Sequence, residues 1–160
     1  MESKAKFLGH PIHPLLIPFP LGLFVTGVIF DIIYLVTANV TMSIVAFWML
    51  VAGIVGGLVA APFGWIDWHA IPPNTRAKAI GLMHGVGNVV VLLLFSVSVW
   101  RRWPALERSD SWAYLFSFVG AGVLGLTGWL GGELVERLGV GVDDGAHLDA
   151  PNSLSNKSLH

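Results

Sequence analysis

Residues 43–65 read SIVAFWMLVAGIVGGLVAAPFGW and contain no charged side chain. A membrane-crossing helix needs about 20 predominantly apolar residues, so this one stretch decides the fold class. Backbone amides in hydrocarbon must be satisfied within the segment, so an apolar run of this length reads as a helix. The alternation of a membrane barrel strand is missing from it.

Working outward, three more windows of the same kind appear. Leu15–Val36 carries one charge, Asp31. Ala79–Trp100 carries none, although it holds His84 and Asn88, and Ser111–Gly132 carries none. The first window is too long for a signal-peptide core and is read as a retained helix that also targets the protein. The expected architecture is all-α: an integral membrane four-helix bundle with both termini on one side. One domain, residues 1–142, holds the helices, and residues 143–160 form a polar tail expected to be disordered.

Composition agrees. Of the 160 residues, 54% are hydrophobic and 12% charged, against about 25% charged in soluble domains. The formal net charge is -1, with no basic field of the kind that nucleic acid requires. The absence of cysteine excludes disulfides, thiolate metal sites and cysteine-held iron–sulfur clusters. Trp65, Trp68 and Trp129 fall at one set of helix ends, and Trp100, Trp103 and Trp112 at the other, as an interfacial aromatic belt does. Lys4, Lys6, Arg76, Lys78 and Arg137 oppose Arg101, Arg102 and Arg108, which favours a cytoplasmic N-terminus in a bacterial inner membrane. Gly53-x-x-x-Gly57, Gly81-x-x-x-Gly85 and Gly128-x-x-x-Gly132 allow close helix approach, within one chain or in a homo-oligomer. Asn39-Val40-Thr41 and Asn156-Lys157-Ser158 match the glycosylation pattern, one that chance supplies often.

The polar residues collect at one end. His10-Pro11-Ile12-His13-Pro14 precedes the first helix, and its prolines predict a rigid, partly extended approach. Asp67 and His69 end the second helix, with Ile66–Lys78 read as the following connection. His84 lies in the third helix with Asn88 on the same face, and Glu133 ends the fourth. Topology places His10, His13, Asp67, His69, His84 and Glu133 in one half of the bundle. An ionisable residue inside a membrane is a functional-site candidate by default.

Three chemistries suit this set. Haem b takes two imidazoles from different helices, here His84 with His10 or His13, and Gly56, Gly57, Gly85 and Gly87 would leave room for the macrocycle. A divalent metal such as zinc would take His10, His13, Asp67 and His84 as nitrogen and oxygen donors. A proton or ion relay would use the same histidines and Asp67 near neutral pH. Each residue also has a plainer reading. His10 and His13 sit near headgroups, Asp67 caps a helix or loop, His69 is a solvated loop residue, and His84 with Asn88 ties helices together. Glu133 is solvated at its helix end. Asp31 reaches the interface at the far end of the first helix in a structural role.

Four segments carry a family resemblance: Gly9-His10-Pro11-Ile12-His13-Pro14-Leu15-Leu16-Ile17-Pro18-Phe19-Pro20-Leu21-Gly22, Ala60–Trp68, His84-Gly85-Val86-Gly87-Asn88 and Gly128–Leu134. Together they resemble the bacterial membrane-protein family catalogued as domain of unknown function 2231, over roughly Gly9 to Val142. The resemblance implies a four-helix membrane domain of unassigned activity. Some relatives are joined to a Rieske-type iron–sulfur domain, which implies an electron-transfer setting and a redox or other membrane-protein partner beside lipid. Relatives carry a histidine after the arginine that follows the fourth helix; here that position is Leu138. The leading expectation is a haem b-binding electron-transfer component. The alternatives are a divalent-metal-binding membrane protein and a non-catalytic accessory subunit.

Overall fold

The computed structural model describes residues 1–155. It begins with a small antiparallel hairpin, β1 (Lys6–Phe7) and β2 (His10–Pro11), in which Phe7 pairs with His10. Leu8 and Gly9 turn it with φ of 50° and 85°, the positive values that a two-residue hairpin of this hand demands at both centres. The Ile12 N–H donates to the Ala5 carbonyl at 2.9 Å and leads into α1 (Ile12–Leu16) and α2 (Pro18–Thr37). Pro18 and Pro20 have no amide to donate, which places the break between α1 and α2 where the sequence predicts a rigid approach.

The connections follow simple chemistry. Ala38, at φ 54°, closes α2, and Asn39 caps α3 (Val40–Ala70) by accepting from the Thr41 N–H. The α3 helix outruns its apolar window by a full turn and carries Asp67 and His69 within it. The reading of Ile66–Lys78 as a loop is corrected here. The helix stops only at Pro72-Pro73, because the polar residues before them lie at the interface, where they disturb nothing. Thr75 caps α4 (Arg76–Arg102), and Asp110 caps α5 (Ser111–Gly132). A π-helical turn, Glu133–Arg137, continues α5.

Four spans of 26 to 31 residues result, each long and apolar enough to cross a membrane. They form an up-down-up-down ring: α2 packs on α3, α3 on α4, α4 on α5, and α5 closes against α2. α2 and α4 are therefore diagonal and parallel. They meet through side chains at the centre, where Phe24 and Phe95 stack at 4.2 Å between centroids with planes 4° apart. Leu50, Val91 and Leu124 complete the core. Gly53 leaves the space that Phe24 fills, since a Cβ there would lie 2.7 Å from the ring. Along α2 the outward Val25, Ile29 and Ile32 are about half exposed. An apolar exterior of this extent is stable in lipid and not in water. Trp65, Trp100, Trp103, Trp112 and Trp129 are all exposed at helix ends, in the belt the sequence predicts.

Asp31 departs from its expected place. It is fully buried, not interfacial, because the Arg102 guanidinium grips it in two-pronged fashion at 2.6 and 2.7 Å. Of the tail, residues 143–155 form turns and touch the N-terminal hairpin, through Lys6 with Asp143 and Ser153 with His10. Residues 156–160 of the proposed tail, with the Asn156-Lys157-Ser158 pattern and His160, lie outside the described residues.

Candidate functional site

His13 and His84 face one another across the diagonal at one end of the bundle. Their ring centroids are 6.4 Å apart and their planes stand at 88°. Each ring is braced by a neighbouring helix. His13 Nδ1 lies 3.0 Å from the Ala60 carbonyl on α3, and His84 Nδ1 lies 2.8 Å from the Thr127 carbonyl on α5. A carbonyl only accepts, so each ring carries a proton on Nδ1 and, in its neutral form, has the lone pair on Nε2. Histidines that bind metals are oriented in this way, with the far nitrogen donating to a carbonyl.

Two glycines make the bracing possible. A Cβ on Gly64 would lie 2.8 Å from His13 Cε1, and one on Gly131 would lie 3.1 Å from His84 Cε1. Each imidazole therefore packs directly against a helix at its glycine. Asn88 adds a second bond to His84: its Nδ2 is 3.0 Å from His84 Nε2, and the Thr127 hydroxyl donates to its Oδ1 at 3.1 Å. Both histidines are half-buried.

The other candidates go elsewhere. His10 is exposed beside the Ser153 hydroxyl. Asp67 is buried and already satisfied: the Ser3 hydroxyl and the Lys4 and Ala5 amides converge on its carboxylate at 2.8 to 3.3 Å. It anchors the N-terminal segment to the end of α3. His69 is exposed and stacks near Trp65. Glu133 pairs with Arg76 at 2.6 Å and is not simply solvated. Among the described residues, no three His, Asp or Glu side chains come close enough to share a metal ion. The glycines expected to make room for a macrocycle are mostly covered: Gly56 by Phe19, Gly57 by Leu92 and Gly87 by Thr127, while Gly85 is open.

Sequence reasoning did not find Ala60, which acts through a backbone carbonyl and leaves no mark on residue type, nor Thr127, which adds its hydroxyl to its carbonyl and was visible only as a polar residue in an apolar helix. Gly64 and Gly131 are two of many small residues in α3 and α5, and residue type alone does not set them apart. At the opposite end of the bundle lies a second polar cluster, also unforeseen. Arg102 binds Asp31 and donates from Nε to Ser98 Oγ at 3.2 Å and from Nη2 to Ser117 Oγ at 2.9 Å.

The fold and this distribution of side chains define a helical integral membrane protein with paired imidazoles inside the bundle. The family model described as "Predicted membrane protein (DUF2231)" matches residues 9–144, and the chain belongs to that family. No curated protein and no solved structure matches it.

Proposed function

We propose that the protein is a small electron-transfer component of the membrane that holds one haem b between His13 and His84. The observation that carries this reading is the pair of opposed imidazoles, each fixed at Nδ1 by a main-chain carbonyl. Two imidazoles sharing one metal through bonds of about 2.0–2.1 Å would hold their ring centroids about 5–6.5 Å apart, depending on the angle between them. The centroids stand at 6.4 Å, within that range. A porphyrin provides its own four equatorial donors and asks the protein for two axial ones. Zinc asks the protein for three or four ligands, and the described residues gather no such set. The donors therefore suit haem better than a bare divalent ion. His13, rather than His10, is the partner of His84.

Haem b, when bound, supplies a one-electron couple. The chain's own part would be to offer Nε2 of His13 and Nε2 of His84 and to surround them with apolar helices. Asn88 must swing its amide off His84 Nε2 for this, and Phe19 and Leu92 must yield the space beside Gly56 and Gly57. That same Asn88 bond supports the second reading, in which His84 only ties α4 to α5 in an accessory subunit. In either case we place the chain in a bacterial inner membrane with its N-terminus cytoplasmic and a redox or other membrane-protein partner. Arg102 is buried, so Arg101 and Arg108 alone oppose the five cations of the N-terminal side, which strengthens that orientation.

Haemin titration of the detergent-purified protein tests the proposal. One haem per chain should bind, with binding lost in His13→Ala and in His84→Ala and retained in His10→Ala and His147→Ala. Full binding without His84 would sink the assignment, and no binding to the parent protein would leave the accessory reading.

A further inference from the structure

Three contacts join α1 and α2 to α4 across the bundle, and each joins a residue to the one 71 positions later. They are His13 with His84, Phe24 with Phe95, and Asp31 with Arg102. The partner helices keep an offset of their own. Phe24 lies over Gly53 and Phe95 over Gly120; His13 lies over Gly64 and His84 over Gly131. Ala46 and Ala113 are both wholly buried. Each second residue in these three pairs, Gly53 with Gly120, Gly64 with Gly131 and Ala46 with Ala113, stands 67 positions after the first. The sequence keeps traces of the same relation: Leu21, Leu23, Phe24 and Val28 recur as Leu92, Leu94, Phe95 and Val99.

We infer that the chain is one helical hairpin repeated in tandem, its two copies related by a pseudo-two-fold axis along the helices, and that Asp31 and Arg102 on that axis lock the two unlike copies together. On a two-fold axis a residue meets its own equivalent. Phe on Phe and His on His are acceptable there, whereas Asp on Asp or Arg on Arg, buried and unpaired, is not. A charged position on the axis therefore has to become two different residues, and it has. The symmetry breaks where the ion pair requires it. Gly27 touches Leu50 in the first hairpin, and their equivalents Ser98 and Ser117 are hydrogen-bonded at 2.8 Å in the second. Those two hydroxyls accept from Arg102. In this arrangement α3 on α4 and α5 on α2 are equivalent interfaces, of which the first is the more extensive. Membrane proteins built from parallel repeats about an axis along the membrane normal follow this plan. The inference stands apart from the haem proposal and makes His13 and His84 equivalent whatever they bind.

The test exchanges equivalent residues between the copies in the full-length chain. Asp31→Arg and Arg102→Asp are made singly. A third variant carries both, together with Gly27→Ser, Leu50→Ser, Ser98→Gly and Ser117→Leu, so that the whole polar network moves to the other copy. Thermal unfolding in detergent, followed by circular dichroism, is the readout and involves no haem. Each single variant should lose roughly 6–20 °C, as the breaking of a buried pair does in a chain of this size. The exchanged variant should recover more than half of that loss. An exchanged variant as unstable as the single ones overturns the inference. Where the single variants cannot be recovered from the membrane, the exchanged one still decides: folded protein supports the repeat, and its failure to fold overturns it.

Discussion

Replacing Gly64 by Ala should push His13 out of position, and the size of the effect follows from the geometry. The new Cβ would stand 2.8, 3.0 and 3.1 Å from His13 Cε1, Nδ1 and Nε2. Carbon atoms in contact prefer about 3.5–4.0 Å, so the ring has to retreat by roughly 0.7 Å. Its bond to the Ala60 carbonyl, 3.0 Å long, then stretches past useful length. Overpacking costs about 1–3 kcal/mol and the lost bond about 0.5–1.5 kcal/mol. The gain from Ala over Gly inside a helix returns about 0.5–1 kcal/mol. The balance is a loss of about 0.5–4 kcal/mol. Gly128 is the control, because a Cβ there meets nothing within 4 Å. Gly128→Ala should therefore keep only the helical gain. At about 2–4 °C per kcal/mol, thermal unfolding should fall by roughly 1–16 °C for Gly64→Ala and rise by about 1–4 °C for Gly128→Ala. The His13 ring signals in NMR should move only in the first variant. Equal stability of the two variants, with His13 undisturbed, would refute the placement of that ring on the α3 backbone.

The central stack gives a second expectation: Phe24→Ala should cost about 3–5 kcal/mol, read from denaturant unfolding in mild detergent. A third concerns the contact between the tail and the N-terminal hairpin. The Gly145 N–H, with lesser help from Lys6, holds the Asp143 carboxyl below its ordinary value, so its contacts persist above that value and fail as pH falls through the lowered one. The Glu2 carboxylate raises the Lys6 ammonium, whose contacts hold below its ordinary value and fail as pH rises through the raised one. The protection of the Gly145 amide, its exchange rate set against that of an unprotected amide at the same pH, should accordingly fall only at the acid end. Asp67→Ala should release the N-terminal segment, and the amides of Lys4, Ala5 and Ile12 should exchange faster while the four spans keep their protection.

Much of the fold is written in residue type. Charge-free windows, Trp at helix ends and Pro at breaks correspond to physical demands that each residue meets alone, so the four helices can be read one at a time. The α3 boundary was harder, since Asp67 and His69 look like loop residues until Ser3 and the neighbouring amides are seen to satisfy Asp67. Asp31 and Arg102 mislead for the same reason. Each alone looks like an interfacial charge, and only the bundle brings two charges 71 residues apart into one buried pair. His84 with Asn88 was legible because a polar group in an apolar helix needs a partner. The choice of His13 over His10 was not, because it depends on which face of a five-residue helix meets Ala60.

The central claim, that His13 and His84 share a haem, is tested most directly by the visible spectrum of the protein purified from cells with ample haem, first oxidised and then reduced with dithionite. The account predicts a sharp Soret band and resolved α and β bands on reduction, the mark of six-coordinate haem, all lost in His84→Ala. A colourless protein from such cells would contradict it.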